Sequence, residues 1–575
     1  MVPLVALGRR VLFGASWAAG FVLTQEATFL LAFLGALVAT REKRLIQVGA
    51  EELWRGKGWA RTLEEASKLG ACSAAGLLAV ATFGYLRIQL DSGVDLAARA
   101  LLGIMLLSFT GCGIHLAFQG EGRVLRGVRS AGLVLGMLGA LACERSLEAD
   151  GTSFFASIPA WVPVLSFVTL ALGGAPLFLV LGGIAAVLFW SEGISAKAVP
   201  VAMESLALST YLPAIPLFTL TGVLLAQGDA PTRLFDLFRA ACGWIPGGTA
   251  VISALLCAFL SAFTGGSGVT ILALGGLLFP ALVKQGYPER FALGLITSSA
   301  ALGILLPPAL PLILFGIAAE VPIDELFRAG ILPGLLFIAI IVGWCVAVGV
   351  RSRVAREPFE LAAVGRGFAR AAAELAIPVV TLGAFFSGWA TLVETAAVTC
   401  GYTFALQVFV RRNVRPLRDL PRLSRECVVL LGGVLVLLCA AKGLSSYVVD
   451  AEIPARLVVW MQTSVHSPAA FLLLLNLFLL VVGCFLDIYS ATFVVVPLIV
   501  ELARGYGVDP VHLGIVFIAN LELGFLTPPV GLNLFLASQR FDRSILSVAR
   551  AALVPLLLLF AGLMVVTYLP ALALH

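Results

Sequence analysis

Runs of about 20 mostly apolar residues recur along the whole chain, and no other feature constrains its fold as strongly. Each run is long enough to cross the ~30 Å hydrocarbon core of a bilayer as a helix. Only 12% of the 575 residues are charged, whereas soluble chains average about 25%. The sequence therefore lacks the polar surface that soluble domains need, and it predicts an all-α polytopic protein of a lipid bilayer.

The composition also excludes other classes of protein. The formal net charge of +5 is modest and the basic residues lie in short loops, so nucleic-acid binding is not expected. The alternating pattern with turns every ~10 residues that marks an outer-membrane barrel is absent. Because the 10 cysteines include no CxxC pair and the 4 histidines no HExxH motif, we predict neither a metal enzyme nor a haem enzyme.

The apolar runs define the candidate membrane spans. They lie near residues 11–38, 68–87, 97–117, 126–144, 161–191, 210–226, 246–263, 289–319, 327–350, 372–410, 426–446, 468–486, 510–538 and 546–572. The runs at 161–191 and 372–410 are long, and each forms either one tilted helix or two short ones. Two further apolar stretches, 266–283 and 484–503, are interrupted by Gly or Pro, and we predict re-entrant hairpins there because protein or water can cover their open backbone.

Lysine and arginine in short loops indicate the orientation. Basic residues concentrate in four loops, at 41–61, 123–129, 351–370 and 411–425. These loops are assigned to the cytoplasm, and the net acidic segment 145–157 to the opposite side. The basic loops on both sides of 372–410 favour two crossings there. Whether this segment crosses once or twice stays open at this point.

A duplication relates two distant parts of the chain. One copy reads FPALVKQGYPERFALGLITSSAALGILLPPALP and the other VPLIVELARGYGVDPVHLGIVFIANLELGFLTPPVGL. With small gaps the glycines and prolines align, and the aligned pairs are Pro280 with Pro497, Gly294 with Gly514, Gly303 with Gly524, Pro307-Pro308 with Pro528-Pro529, and Pro333 with Pro555. Agreement over so many Gly and Pro positions indicates an internal repeat, with copies near 210–350 and 426–572.

The paired prolines predict an interrupted helix in each copy. A Pro-Pro pair removes two amide donors and disfavours helix at the preceding residue. Each helix should therefore unwind, near Gly303–Pro308 in one copy and Gly524–Pro529 in the other, and then resume. The freed carbonyls must meet protein, water or a cation. Two matched breaks beside two hairpins are typical of a secondary transporter with a binding site at the membrane midplane, although Gly and Pro also kink purely structural helices.

Oxygen-bearing residues lie next to the predicted breaks. Ser299 in one copy aligns with Asn520 in the other, and Thr527 adds a hydroxyl in the second copy. All three suit a small hard cation, and we predict them as sodium ligands. The wider predicted sodium and solute site comprises Gly265, Gly266, Ser267, Gly268, Ser298, Ser299, Gly303, Asp487, Asn520, Gly524 and Thr527, with Pro307, Pro308, Pro528 and Pro529 as the helix-breaking residues.

These segments resemble a known family of membrane proteins. SAFTGGSGVTILALGGLLFPALVKQGY, LGILLPPALPLILFGIA and GYGVDPVHLGIVFIANLELGFLTPPVGLNLFLAS are similar to the large membrane subunit of TRAP (tripartite ATP-independent periplasmic) transporters, over about residues 158–570. Residues 1–118 resemble the small subunit more weakly, through SWAAGFVLTQEATFLLAFLGALVATREKR. The resemblance implies a fused protein, with a joining helix and loop at 119–157 and the permease at 158–575. The front of the small-subunit part is expected to be missing.

The resemblance also implies a function. A periplasmic substrate-binding protein would deliver a small organic anion that bears a carboxylate, and a sodium gradient would drive its uptake. Hairpins and broken helices would move as an elevator in the bacterial cytoplasmic (inner) membrane, without catalytic residues and without a cofactor other than sodium. The repeats of the family are inverted, which by a count of the candidate spans implies either one crossing at 372–410 or a loop assigned to the wrong side. One departure is TGGSG at 264–268, where the family usually has a Ser-Gly-Ser-like hairpin tip.

Ionisable residues inside apolar spans are functional candidates by default. Asp487 is a sodium ligand or gate, or else a buried polar partner. Glu522 points away from Asn520 on a helix, which favours a structural or domain-interface role. Glu394 has the spacing of a capping box with Thr391, and Lys442 can extend to the membrane surface.

Three other functions remain open. A stand-alone sodium–carboxylate symporter or antiporter of similar fold would need no binding protein. Gly265–Gly268 also fits the GxSG pattern of intramembrane serine proteases, in which Ser267 would need His115 or His512 as a base. A membrane scaffold without transport activity is the third.

Overall fold

The computed structural model describes residues 2–3, 5–7, 18–42, 45–47, 59–92, 96–119, 123–150, 158–159, 161–226, 229–354, 356, 358–528 and 531–574. Within these segments the regular structure is entirely helical. Twelve of the described helices are long and apolar enough to cross a membrane. The predicted class, an all-α polytopic membrane protein, is confirmed.

Four long helices are described in the front part of the molecule. They are α1 (Ala18–Arg41), α2 (Ala60–Asp91), α3 (Leu96–Phe118) and the joining helix α4 (Arg123–Asp150). Helix α2 packs between α3 and α4, while α1 packs against α3 and against a helix of the permease. The joining helix extends beyond its predicted span of 126–144 at both ends.

The first half of the permease contains twelve helices, the last continued by a π-helical turn. They are α5 (Trp161–Leu172), α6 (Leu177–Ser191), α7 (Ala198–Ser205), α8 (Ala214–Ala226), α9 (Ala230–Cys242), α10 (Gly248–Thr264), α11 (Ser267–Lys284), α12 (Glu289–Ser299), α13 (Leu310–Ala319), α14 (Ile323–Arg351), α15 (Leu361–Phe386) and α16 (Leu392–Ala405, then Leu406–Val410). The runs 161–191 and 372–410 thus form two helices each.

The second half repeats part of this order. Its helices are α17 (Leu420–Asp450), α18 (Ile453–Ser464), α19 (Pro468–Phe485), α20 (Ile488–Gly505), α21 (Pro510–Gly524), α22 (Leu532–Phe541) and α23 (Ile545–Tyr568). Helices α10 and α11 form the first hairpin, and α19 and α20 the second. Helices α12 and α13 are the halves of the first broken helix, and α21 and α22 those of the second.

The first arm of each hairpin was predicted as a separate span, at 246–263 and 468–486. Of the two, α19 is long and apolar enough to cross a membrane, whereas α10 is a shorter apolar helix. These arms are as apolar as short membrane spans, so hydropathy alone does not distinguish the two. The contacts between the hairpin tips, described below, place both tips inside the molecule.

Interpreted as re-entrant, the two hairpins determine the topology of the repeat. Four helices long enough to cross the membrane, α14 to α17, lie between the first broken helix and the second hairpin. A re-entrant hairpin returns to the side from which it entered. Because four crossings are an even number, the second broken helix runs opposite to the first, and the repeats are inverted with two crossings at 372–410.

Buried charges fix the joining helix to the permease. Glu144 of α4 accepts hydrogen bonds from Trp190 Nε1 (3.0 Å), from Ser195 Oγ (2.7 Å) and from the backbone N–H of Ala196 (2.9 Å). Lys197 Nζ lies 3.3 Å from the same carboxylate. Burial alone would lower the pKa of Lys197, but its acidic neighbours outweigh burial and hold this pKa above its ordinary value.

A second buried carboxylate ties a short amphipathic helix to the longer ones. Glu374 of α15 is fully buried, and it pairs with Arg233 of α9 and with Arg411, which follows α16 (both 2.8 Å). Removal of one member of such a buried pair typically costs about 3–5 kcal/mol. The network therefore holds α9 against α15 at the end of the molecule that carries the basic loops.

The front part docks on α17 through two glycines. A Cβ at Gly432 would lie 2.4 Å or less from the backbone of Gly35 and Ala36, so the helices cross with their backbones in contact. We expect Gly432→Ala to lower the stability of the protein by about 1–3 kcal/mol, because the added methyl has no space. Thermal unfolding of the purified permease in detergent measures this.

Gly383→Ala is the matched control. Gly383 also lies in a helix, but a Cβ there meets no atom within 4 Å, so alanine should be neutral or slightly stabilising. Equal melting temperatures for the two variants would contradict the close crossing of α1 and α17.

Candidate functional site

The first broken helix is interrupted beside the predicted serine. Helix α12 ends at Ser299, residues 300–309 form turns, and α13 then begins. The carbonyl of Gly303 accepts a hydrogen bond within the turn (3.0 Å). Pro307 and Pro308 lie at the end of the turn, where their missing N–H groups remove no helical hydrogen bond.

The second broken helix is interrupted in the same way. Helix α21 ends at Gly524, and the N–H of Thr527 donates to the carbonyl of Gly524 (3.0 Å). Pro528 lies in the interruption, and Pro529 lies outside the described residues. The two broken helices predicted from the repeat are thus confirmed.

Each break is held by the neighbouring hairpin. The N–H of Gly303 donates to Ser261 Oγ in the first arm of the first hairpin (2.9 Å). In the second copy, the N–H of Gly531 donates to the carbonyl of Cys484 in the second hairpin (3.1 Å). A Cβ at either Gly303 or Gly524 would collide with the hairpin backbone, which explains why glycine occupies both aligned positions.

The two hairpin tips also contact each other. Tyr489 Oη, at the tip of the second hairpin, donates to the carbonyl of Gly265 at the tip of the first (3.0 Å). Ser267 Oγ, in the first hairpin, donates to Asn533 Oδ1 in α22 (2.6 Å). Both hairpins and both broken helices therefore meet in one region, and this region contains most of the predicted site residues.

Two aligned residues beside the breaks each have a buried oxygen without a hydrogen-bond partner. Ser299 and Asn520 are fully buried, and in the described part of the chain neither Ser299 Oγ nor Asn520 Oδ1 has a partner. By contrast, Thr297 and Ser298 donate to carbonyls of their own helix, as helical hydroxyls usually do. The unpaired oxygens are the aligned pair that the sequence predicts as sodium ligands.

The orientation of Asn520 follows from its other contacts. Its Nδ2 donates to the carbonyl of Val516 (2.8 Å) and to Asn476 Oδ1 at short range. Asn476 Nδ2 in turn donates to Thr567 Oγ1 (3.1 Å). Because Nδ2 makes both of these contacts, Asn520 Oδ1 lies on the other side of the amide group, where it can coordinate a cation.

Other predicted ligands already have partners. The Asp487 carboxylate caps α20 by accepting from the N–H groups of Tyr489 and Ser490, and from the hydroxyl of Ser490. Thr527 Oγ1 donates to the carbonyl of Leu523 (2.9 Å). These contacts favour the buried-partner interpretation of Asp487, while its role in binding stays a prediction. The carbonyl of Gly266 and the backbone at Gly268 lie at the first tip.

The remaining ionisable candidates are placed as follows. Thr391 and Glu394 form the predicted capping box at the start of α16, which is confirmed. Lys442 lies 3.3 Å from Glu320 at the protein surface. Glu522 is buried, and its carboxylate oxygens have no hydrogen-bond partner among the described residues. It lies on α21 beyond Asn520, and the contacts give it no defined role.

Sequence reasoning missed three polar residues of this region, namely Asn476, Tyr489 and Asn533. Asn476 had a usable signal, since it is the only amide within the apolar run PAAFLLLLNLFLLVVGCF. Tyr489 and Asn533 had none, because their importance depends on which distant segment each one meets.

The fold and the site together define a class, a polytopic membrane transporter with inverted repeats. The family model "Tripartite ATP-independent periplasmic transporter, DctM component" matches residues 164–572, and the chain belongs to this family. It is therefore an inner-membrane transport protein and not an enzyme, which removes the protease and scaffold interpretations.

Curated relatives agree with this assignment. The C4-dicarboxylate TRAP transporter large permease protein DctM of Pseudomonas aeruginosa is 33% identical over 386 residues, which is 65% of this chain and 90% of that protein. A Vibrio cholerae protein of the same name is 30% identical, over 69% of this chain and 92% of its own length. The isethionate TRAP transporter permease protein DctMQ of Oleidesulfovibrio alaskensis is 32% identical, over 62% and 56% respectively.

Two neighbouring glycines test the backbone geometry described for the tip of the first hairpin. Gly265 has a left-handed backbone (φ +66°), and a Cβ there would lie 2.5 Å from Leu310, whereas neighbouring Gly266 has extended backbone and no atom nearer than 3.9 Å. We expect Gly265→Ala to destabilise the protein by about 1–3 kcal/mol, and Gly266→Ala to be nearly neutral. Thermal unfolding of both variants measures the difference, and the reverse order would contradict the described tip.

Proposed function

We propose that this permease imports a small organic anion together with sodium ions, and that a periplasmic substrate-binding protein delivers the anion. The names of its relatives, which include C4-dicarboxylate and isethionate transporters, favour an organic acid with one or two negative groups. The binding protein follows from membership of the family. Hard oxygen donors, which sodium prefers, occur at both breaks.

The unpaired oxygens of Ser299 and Asn520 carry this proposal. A buried hydroxyl or amide oxygen without a partner costs about 1–3 kcal/mol, so two such atoms at equivalent positions of an inverted repeat need a common explanation. A cation at each break supplies the missing partner. The ends of α12 and α21 point their partial negative charge at the same places.

The contacts also support an elevator movement. Hydrogen bonds join the hairpins and broken helices to one another, whereas Glu144 and the Gly35–Gly432 crossing join the front part to α6 and α17. We propose that the first group moves as one body, with bound solute and sodium, against the second.

Reconstitution tests the whole proposal. Proteoliposomes that contain the permease should accumulate radiolabelled succinate, a C4-dicarboxylate, only with an inward sodium gradient and with the binding protein of its own system outside. Uptake driven by a proton gradient without sodium would refute the coupling. Sodium-driven uptake without any binding protein would instead support the stand-alone symporter or antiporter.

Substitution of the two ligands tests the sodium sites. Ser299→Ala and Asn520→Ala should each raise the sodium concentration for half-maximal uptake by roughly 5- to 30-fold, because each removes about 1–2 kcal/mol of cation binding. Thr297→Val is the control, since the Thr297 hydroxyl is already bonded to Leu293 (2.7 Å). Unchanged sodium titrations in both alanine variants would remove these residues from the site.

A further inference from the structure

A basic cavity of about 440 Å³ lies between the start of α12 and the start of α23. Arg290, Arg543 and Arg550 line it together with a single carboxylate, Glu289, so the charged lining is net positive. Both helix starts lie on the side of the basic loops, because α14 returns the chain from the first broken helix to Arg351. The cavity therefore opens at the cytoplasmic surface of the membrane.

Most of the arginine donors in this cavity remain free. Arg543 donates to Glu289 through Nε (2.9 Å) and Nη2, and to the carbonyl of Asp542 through Nη1 (3.3 Å). One nitrogen of Arg290 donates to the carbonyl of Arg550 (2.8 Å). The guanidinium of Arg550 has no hydrogen bond to any described residue. Because a guanidinium carries five N–H donors, Arg290 and Arg550 together can still bind a phosphate.

The two helices that frame the cavity are in backbone contact. A Cβ at Gly294 would lie 2.2 Å from the carbonyl of Ala551, so α12 and α23 meet one turn beyond Arg290 and directly after Arg550. Ser544 caps α23 by accepting from the N–H of Ser547 (3.3 Å). The remaining N–H groups of this 24-residue helix add a partial positive charge at the same opening.

An apolar stripe continues directly from the basic cavity. Leu546, Arg550, Leu553 and Leu557 recur at the spacing of one helix face, and the three leucines are 59%, 49% and 60% exposed. The arginines at the membrane surface match the phosphate of a phospholipid, and the leucines that continue into the membrane match its acyl chains. A free phosphate would use the arginines but not the leucines.

We propose that this cavity binds an anionic phospholipid of the cytoplasmic leaflet. The lipid phosphate lies between Arg290 and Arg550, and its acyl chains pack along Leu553 and Leu557. Helix α12 is the first half of the first broken helix, so, on the proposed elevator movement, the lipid attaches the moving part of the permease to the leaflet surface.

Native mass spectrometry of the detergent-purified permease tests this site without any transport assay. We expect retained dioleoyl phosphatidylglycerol, no retained dioleoyl phosphatidylcholine, and a melting temperature that rises with phosphatidylglycerol but not with inorganic phosphate. The triple variant R290Q/R543Q/R550Q should bind phosphatidylglycerol more weakly by roughly tenfold to hundredfold, while R290K/R543K/R550K keeps most of the binding.

The control variant is R415Q/R418Q/R422Q, which removes three exposed cytoplasmic arginines outside the cavity and should leave phosphatidylglycerol binding unchanged. Equal retention of both lipids, stabilisation by phosphate alone, or equal loss of binding in the two glutamine variants would each overturn the proposal. Because these readouts need neither sodium nor solute, they are independent of the proposed transport activity.

Discussion

The structure depends on one constraint, that a backbone polar group inside a membrane must find its partner within the protein. Each broken helix leaves such groups without their helical partners, and the neighbouring hairpin supplies part of what they need. Ser261 accepts from Gly303, and Cys484 accepts from Gly531. The interruptions are therefore tolerated because a hairpin reaches each of them.

The buried polar atoms that lack a hydrogen-bond partner are as informative as those that have one. Thr297 and Ser298 bond to their own helix, yet Ser299 at the very end of that helix does not. Asn520 uses both its amide hydrogens on neighbours and keeps its oxygen unpaired. These two oxygens lie at aligned positions of the repeat, each next to a helix break, and this shared placement is what the proposed sodium sites explain.

The sequence predicted the class, the repeat and both helix breaks, because apolar runs and paired prolines act locally. It failed where the answer depended on distant contacts. By hydropathy, the first arm of each hairpin does not differ from a membrane span. The hydrogen bond from Tyr489 to Gly265, which joins the two hairpin tips, cannot be read from the sequence. Asp487 was assigned a functional role because it is a charged residue in an apolar run. Its role as the N-cap of α20 depends on where that helix begins, which the structure shows.

The glycine crossing of α1 and α17 has a consequence for how the protein is made. Helix α1 enters the bilayer early in translation, while its partner surface on α17 is synthesised only after the first hairpin and the first broken helix have emerged. Until then the face around Gly35 cannot pack on Gly432. Docking of the front part therefore has to wait until the permease has been inserted at least as far as α17.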